Sequence, residues 1–281
     1  MTTSPPDIPD IEADINADIL AACAQEEQND IGNARRFRHR FGDLAAPHGR
    51  DVALSVAHIG WHVFDGRRYR EDDDGSAIRR LAHETATAIR QEPAALDFYD
   101  FEAQAVEAGR VALDALERMG KPDKAWTDDK LSEYRALERS VAMADEAMAG
   151  LKSRRSARHK YANASANSAK IGNMLIEAAP YMATRVDELN CDRLAVNCQS
   201  GTVRFMQIED EDSDPQDPRF RWEARLDGHA QTDLITKLAP SDWNPDKPAQ
   251  APEWKKFLAV VQPSEQVRGF LKRVCGYCLT G

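Results

Sequence analysis

The spacing of hydrophobic residues predicts helices over most of the chain. The first clear helix begins at Asn29 or Asp30, either of which can cap the free backbone amides. Its apolar face comprises Ile31, Ala34, Phe37 and Phe41. From Ser76 to about Ile176, Ala, Leu, Glu and Arg recur at helical spacing, with breaks expected at Pro93, at Gly120-Lys121-Pro122 and at Gly150. The middle of the chain is therefore expected to be largely helical.

Three other segments alternate apolar and polar residues with the period of β-strands. Residues 59–70 form two arms around Asp65-Gly66, a dipeptide typical of a type I′ hairpin turn. A second hairpin is predicted around Gln199-Ser200-Gly201, followed by a half-buried strand at 220–226. Two amphipathic helices close the chain, and we expect Trp61 in the first hairpin and Trp254 in these helices to be core residues. The predicted class is α+β, mainly helical with small antiparallel β-hairpin elements.

Charge is distributed unevenly. The chain has 281 residues and a net charge of −10, but eight acids and no Lys or Arg fall in residues 1–30. We therefore predict an acidic arm over 1–28, disordered or weakly helical, and one domain over 29–281 that contains a helical insertion at about 78–150. Because the rest of the chain is nearly neutral, net charge does not exclude a nucleic-acid partner.

The sequence lacks the motifs of several enzyme classes. It has no G-x-x-x-x-G-K-[ST] phosphate loop, no G-x-S-x-G elbow and no Rossmann glycine fingerprint. Cys275 and Cys278 form a C-x-x-C, the spacing found in half of many zinc sites, but no second pair stands at a suitable distance, so we interpret them as half-buried thiols. We predict no catalytic residue, no metal site and no cofactor in this chain, and leave open whether it is part of an enzyme.

No segment has the length and apolar character of a membrane span, and the first residues do not resemble a signal peptide. We therefore expect a cytoplasmic protein without a membrane partner.

A run of basic residues at 152–170 is the strongest candidate for a binding surface. We interpret it as a phosphate-contacting patch in which Tyr161 stacks on bases. The alternative is a solvated helix face whose cations pair with the acids of 102–146. A basic stripe on the first predicted helix allows the same two interpretations. The candidate nucleic-acid-binding residues are Lys152, Arg154, Arg155, Arg158, Lys160, Tyr161, Arg35, Arg36 and Arg38.

Several weak motifs succeed one another in a specific order. They are Asp30-Ile31-Gly32-Asn33-Ala34-Arg35-Arg36-Phe37, GWHVFDGRRYR from Gly60, SANSAKIGNMLIEA from Ser165, LAVNCQSGTVRF from Leu194, TDLITKL from Thr232, the block from Trp243 to Leu258, and FLKRVCGYCLTG from Phe270. In this order they resemble the domain that precedes the superfamily-three helicase motor in phage, plasmid and large-DNA-virus primase-helicases. The 78–150 segment and the acidic loop at 209–218 are longer than this family's pattern.

The resemblance implies a role in DNA replication without catalysis in this chain. ATP and Mg²⁺ are expected only for a downstream motor. The expected partners are that motor and single-stranded DNA bound weakly, and homo-oligomerisation is left open. The apolar helix that runs into Gly281 leads us to expect a P-loop sequence encoded shortly after it. The alternative is a stand-alone protein-interaction remnant of a split or decayed replication gene that does not bind DNA.

Overall fold

The computed structural model describes residues 11–46, 50–210, 218–247 and 250–278. Their contacts divide the chain into two compact units. The first unit holds the described residues up to Arg40 together with Arg79–Tyr181, and the second holds Phe41–Ile78 together with the described residues from Met182 onward. Each unit is formed by two separate stretches of sequence.

The first unit is helical. Its helices are α1 Ile11–Gln25, α2 Asp30–Phe41, α3 Ser76–Ala88, α4 Glu92–Ala95, α5 Asp100–Met119, α6 Asp128–Ser165 and α7 Ser168–Ala178. Helix α2 ends, and helix α3 begins, slightly outside the boundaries of this unit. Short 3-10 turns lie at Ile89–Gln91 and Ala179–Met182. The helical middle is confirmed, as are the breaks near Pro93 and after Gly120, whereas the break expected at Gly150 is wrong because α6 runs through it.

The segment predicted as an acidic arm, residues 1–28, includes the helix α1. Residues 1–10 lie outside the described part, but α1 is a regular helix and its Cys23 and Ala24 are buried. The predicted α2 is confirmed, and the Asn29 side-chain oxygen caps it by accepting the Gly32 amide at 2.7 Å. Ile31, expected in the core, is 45% exposed.

The long helices α5 and α6 pack closely along their small residues. A side chain in place of Gly109 would come within 2.3 Å of the Ala144 Cβ, so the backbones are close at this crossing. Ala112 and Ala147 are also buried. Because the short loop after Gly120 reverses the chain, α5 and α6 run antiparallel as a helical hairpin.

The second unit contains two small sheets and two helices. Their elements are β1 Ala53–Val56, β2 Gly60–Phe64, β3 Tyr69–Glu71, β4 Ala183–Thr184, β5 Ala195–Cys198, β6 Gly201–Glu209, β7 Phe220–Asp227, α8 Pro252–Val261 and α9 Glu265–Tyr277. Further 3-10 turns lie at Val186–Glu188 and Gln231–Asp233. One sheet has the order β3-β2-β1-β4, antiparallel except for the parallel pair β1-β4, and the other is the antiparallel β5-β6-β7. The α+β class is thereby confirmed.

The first hairpin is confirmed with a different turn. Asp65 N–H donates to the Arg68 carbonyl at 3.0 Å, and the Asp65 carboxylate accepts the amides of Arg67 and Arg68. Gly66, at φ 91°, and Arg67 are therefore the central residues, one position later than expected. The partner strand β1 on the other side of β2 was not predicted from the sequence.

Two expectations about aromatic burial are wrong. The hairpin β5-β6 and the strand β7 are confirmed, but Phe220 and Trp222 of β7 are 54% and 61% exposed. Helices α8 and α9 are also confirmed, yet Trp254, which stacks on Phe257, is 56% exposed. Trp61 is half-buried. Amphipathic spacing defines a face of an element, whereas burial requires a second element against that face.

Candidate nucleic-acid interface

The basic segment lies in the C-terminal half of α6, whose 38 residues begin at a Thr127 cap. The segment ends where Asn167 caps α7 by accepting the Lys170 amide at 2.9 Å. At 3.6 residues per turn, a continuous basic run places its side chains all round the helix. The segment therefore has an inward face and an outward face, and the candidate residues divide between them.

Arg158 is on the inward face, 6% exposed, where it meets the fully buried Glu92 of α4. Arg36 of α2 is also fully buried, and its Nε donates to the same carboxylate at 2.8 Å. The two arginines and one glutamate form a buried ion cluster that joins α2, α4 and α6. Both arginines are thus removed from the surface that a phosphate could reach.

The same arginines also bind the end of α1. Arg36 donates to the carbonyls of Glu26 and Glu27 at 2.7 and 2.6 Å, and Arg158 donates to the Ala24 carbonyl at 3.0 Å. The last carbonyls of a helix have no partner within the helix, and Arg158 satisfies one of them, that of Ala24. Arg36 holds the backbone that follows α1. Nearby, burial raises the pKa of the Cys23 thiol to about 11, which makes it unreactive.

Arg154 is held by Glu102 of α5. Its Nη1 lies 2.7 Å from a Glu102 oxygen, and its guanidinium lies 4.4 Å from the Tyr99 ring centroid. The hydrogen bond from Arg154 lowers the pKa of Glu102. Arg154 is therefore paired with an acid of the 102–146 stretch, as the alternative interpretation of the segment expects.

Tyr161 is half-buried, and its hydroxyl donates to the Asn29 carbonyl at 2.9 Å. The Arg36 guanidinium lies 5.9 Å from its ring centroid. The ring is thus part of the packing between α6 and α2.

On α2, Arg35 and Arg38 are both exposed. Arg35 lies 3.6 Å from the Glu26 carboxylate, and a hydrogen bond with Tyr181 raises its pKa. Arg38 has no ion pair with any residue in the described part of the chain.

The outward face of α6 carries the remaining cations. Lys152, Arg155, His159 and Lys160 succeed one another at intervals of three, four and one residues, which places them on one side of the helix, and all four are exposed. Arg155 also donates to the Leu96 carbonyl at 2.7 Å, which fixes the direction of its side chain.

A cation from a distant part of the sequence joins this face. Arg90, in the turn before α4, is exposed and donates to the Asn163 side chain on α6 at 3.5 Å. We call Arg90, Lys152, Arg155, His159 and Lys160 the basic ridge. Within the described residues, none of its members forms an ion pair with a carboxylate. Arg90 was not predicted, because only tertiary packing brings it beside a helix more than sixty residues later in the chain.

The described residues offer little for other chemistry. They contain no cluster of three or more His, Cys, Asp or Glu side chains able to hold a metal ion, and Cys275 and Cys278 are exposed instead of half-buried. None of the helices in this part of the chain has the length and apolar character needed to cross a membrane.

Comparison with known families identifies the class to which this chain belongs. The family model described as D5 N terminal like matches residues 34–263, well over half of the chain. The chain therefore belongs to this family, the N-terminal domain of primase-helicase proteins, as the order of its motifs predicted. Searches of curated proteins and of solved structures each found no match.

Proposed function

We propose that this chain is the non-catalytic N-terminal part of a phage or plasmid primase-helicase, and that its basic ridge contacts single-stranded DNA beside an ATP-driven motor. The single observation that supports DNA contact is the exposed row of cations on α6 and Arg90, all without a carboxylate partner among the described residues. Cations that have no carboxylate partner gain from neutralising phosphates, because each contact releases a condensed counterion.

The size of the ridge limits the strength of this binding. Lys152 and Lys160 are eight residues apart, or about 12 Å along the helix axis. A contact with about three phosphates would make log affinity fall with log salt at a slope of about −2 for a single strand. Because the whole chain carries a net charge of −10, binding should be weak and most evident at low salt.

The test compares two double charge reversals on the same helix. Lys152→Glu/Lys160→Glu reverses the charge of both lysines of the ridge, whereas Arg135→Glu/Arg139→Glu changes two exposed cations in the other half of α6 by the same total charge. Fluorescence anisotropy with a labelled oligonucleotide across a salt series gives affinity and slope. We expect the ridge variant to lose most of the binding and the control to retain it; equal affinities for both would exclude the ridge as the contact.

A second candidate function is docking of the helicase motor on α8 and α9. Their exposed apolar side chains include Trp254, Phe257, Val260, Phe270 and Tyr277. Apolar surface of this kind on neighbouring helices marks a protein-contact site. The family context supports the helicase domain as the occupant.

Docking can be measured with the helicase domain encoded in the same genome. We expect binding to shift the fluorescence of Trp254 to shorter wavelength and Phe257→Ser to weaken the complex, whereas Phe101→Ser, at an exposed site on α5, should not. A complex that tolerates Phe257→Ser contradicts docking at this surface. If neither DNA nor the motor binds, the stand-alone interaction protein becomes the better interpretation.

A further inference from the structure

Strand β7 lies at an edge of the three-stranded sheet β5-β6-β7. It pairs with β6 in an unbroken register from Phe220 to Asp227, and no strand in the described part of the chain pairs with its other side. The opposite edge of the sheet differs, because a bridge joins Cys198 of β5 to Ala239. An edge strand presents unpaired backbone groups to which another strand can bind. The outer side of β7 is therefore a candidate contact surface.

The hydrogen bonds of the β6-β7 ladder show which backbone groups of β7 face outward. The Asp210 amide donates to the Arg219 carbonyl at 2.8 Å, so these two residues are a hydrogen-bonded pair. Hydrogen-bonded and non-hydrogen-bonded pairs alternate along an antiparallel ladder. Because the register continues without a break, every second residue of β7 points its amide and carbonyl away from β6. These residues are Phe220, Trp222, Ala224 and Leu226.

The side chains of β7 separate into an apolar face and a charged face. Successive side chains of a strand point to opposite faces, so the four residues with outward backbone groups also share one face. Phe220 and Trp222 on this face are more than half exposed. When a strand is added to a sheet edge, backbone hydrogen bonds supply affinity and alternate side chains supply specificity. The charged face therefore indicates which strand fits.

The charges of β7 are complementary to those of a second β7 in the reverse direction. When the Ala224 residues of two antiparallel copies face each other, Arg221 lies opposite Asp227 and Glu223 lies opposite Arg225. Each pair occurs twice, because the contact has a two-fold axis. Opposite charges directly across from each other stabilise a sheet. Within one copy these side chains pair only along the strand, Arg225 with Asp227 at 2.7 Å and Arg221 with Glu223 at 3.6 Å.

Neighbouring registers bring like charges together. Sliding one copy by two residues in one direction places Glu223 opposite Glu223 and Arg221 opposite Arg225. Sliding it in the other direction places Arg225 opposite Arg225 and Glu223 opposite Asp227. Like charges in these positions are destabilising. A slide by one residue sets outward backbone groups against groups already bonded to β6, and larger slides shorten the overlap. The charges therefore favour the register centred on Ala224.

We propose that two copies of this chain associate by antiparallel pairing of β7 with β7, centred on Ala224. The contact joins two three-stranded sheets into one sheet of six strands. On its apolar face, Trp222 of one copy lies opposite Leu226 of the other, which gives the exposed indole a partner. The contact uses no residue of the basic ridge. It is therefore independent of the proposed DNA contact on α6.

Analytical ultracentrifugation of the full chain tests the association. Over a concentration series from about 1 μM to about 1 mM we expect a reversible monomer–dimer equilibrium. Ala224→Pro removes an outward amide that does not bond to β6, and proline is tolerated at such edge positions. This variant should weaken the dimer by about tenfold or more while its melting temperature stays close to that of the wild-type chain. A chain that remains monomeric over the whole series would overturn the proposal.

Charge exchange tests the register. Glu223→Arg and Arg225→Glu each place like charges opposite each other, so each should weaken the dimer about tenfold. The double variant Glu223→Arg/Arg225→Glu restores opposite charges at both positions and should dimerise again. An equimolar mixture of the two single variants should also form a dimer, because each then faces its complement. Failure of both the double variant and the mixture to restore the dimer would overturn the register.

Controls separate a local effect from a change in overall charge. Glu146→Arg and Arg139→Glu make the same charge changes at exposed positions on α6 and should dimerise like the wild-type chain. The double lysine variant of the ridge should do so too. A dimer that persists in Ala224→Pro and in both single charge variants would overturn the proposal. Loss of the dimer in Phe257→Ser with full retention in Glu223→Arg would also overturn it, because the contact would then lie on α8 and α9.

Discussion

The inward and outward faces of the basic segment on α6 are both positively charged but have very different surroundings. On the inward face, Arg158 is buried against Glu92 and donates a hydrogen bond to the Ala24 carbonyl at the end of α1. Outward, Lys152 and Lys160 stand exposed with no carboxylate in contact among the described residues. The sequence shows one continuous patch of positive charge, but its buried arginine holds helices together while its lysines remain available to a partner.

The difference follows from the chemistry of the two side chains. Arginine presents five donors in a planar fork and can satisfy a carboxylate and several backbone carbonyls at once, as Arg36 does in the first unit. Lysine keeps a strongly hydrated ammonium that is expensive to bury. The packed face therefore uses Arg, and the solvent face keeps both Lys residues.

The largest expected effect comes from Glu92→Ala, which leaves Arg36 and Arg158 buried without their shared carboxylate. Breaking a buried ion cluster in this way costs about 3–5 kcal/mol of unfolding free energy. Urea denaturation measures this loss. Glu107→Ala breaks an exposed, solvent-screened pair with Arg110 and should change the unfolding free energy far less. Equal effects for the two variants would mean that the buried cluster contributes no more than a surface pair.

A smaller effect is expected at the partly exposed pair of Arg154 and Glu102. Because the folded-state pKa of Glu102 is lowered, its contribution to stability is present above the ordinary glutamate pKa, about 4.3. It is lost as the pH falls through the folded value. The wild-type chain should therefore exceed Glu102→Gln in unfolding free energy at pH 7, and the gap should narrow toward pH 3. A gap that stays constant with pH would show that the pair does not couple to protonation.

The smallest effect on folding is expected at Lys152 and Lys160. Replacing both with Ala should change the unfolding free energy by less than about 1 kcal/mol, since both side chains are exposed on the surface of α6. The same variant should lose affinity for single-stranded DNA. Chemical denaturation of the variant and the wild-type chain, run in parallel with the anisotropy assay, separates the two properties. A loss of unfolding free energy above about 2 kcal/mol would contradict the prediction, because it would mean that the two lysines contribute to the packing of α6.

Elements whose signals are local were predicted well. The Asn29 cap, the helices from Ser76 onward and the β5-β6 hairpin are confirmed because caps, helical spacing and turn residues act within a few positions. The observed β2-β3 turn lies one residue later than the predicted one. The reason is that the Asp65 carboxylate accepts hydrogen bonds from two backbone amides and so determines the shape of the loop. No local signal marked Glu92 as the partner of two arginines that are 56 and 66 residues away.

The sequence alone determined the α+β class, most element positions and membership of the D5 N terminal like family, because these depend on period, composition and motif order. Only the tertiary structure decided which cations are buried and that Arg90 joins the face of α6. It also decided that Trp254 is exposed. The physical reason is that an amphipathic pattern specifies a face, whereas burial and pairing depend on distant segments that pack against that face.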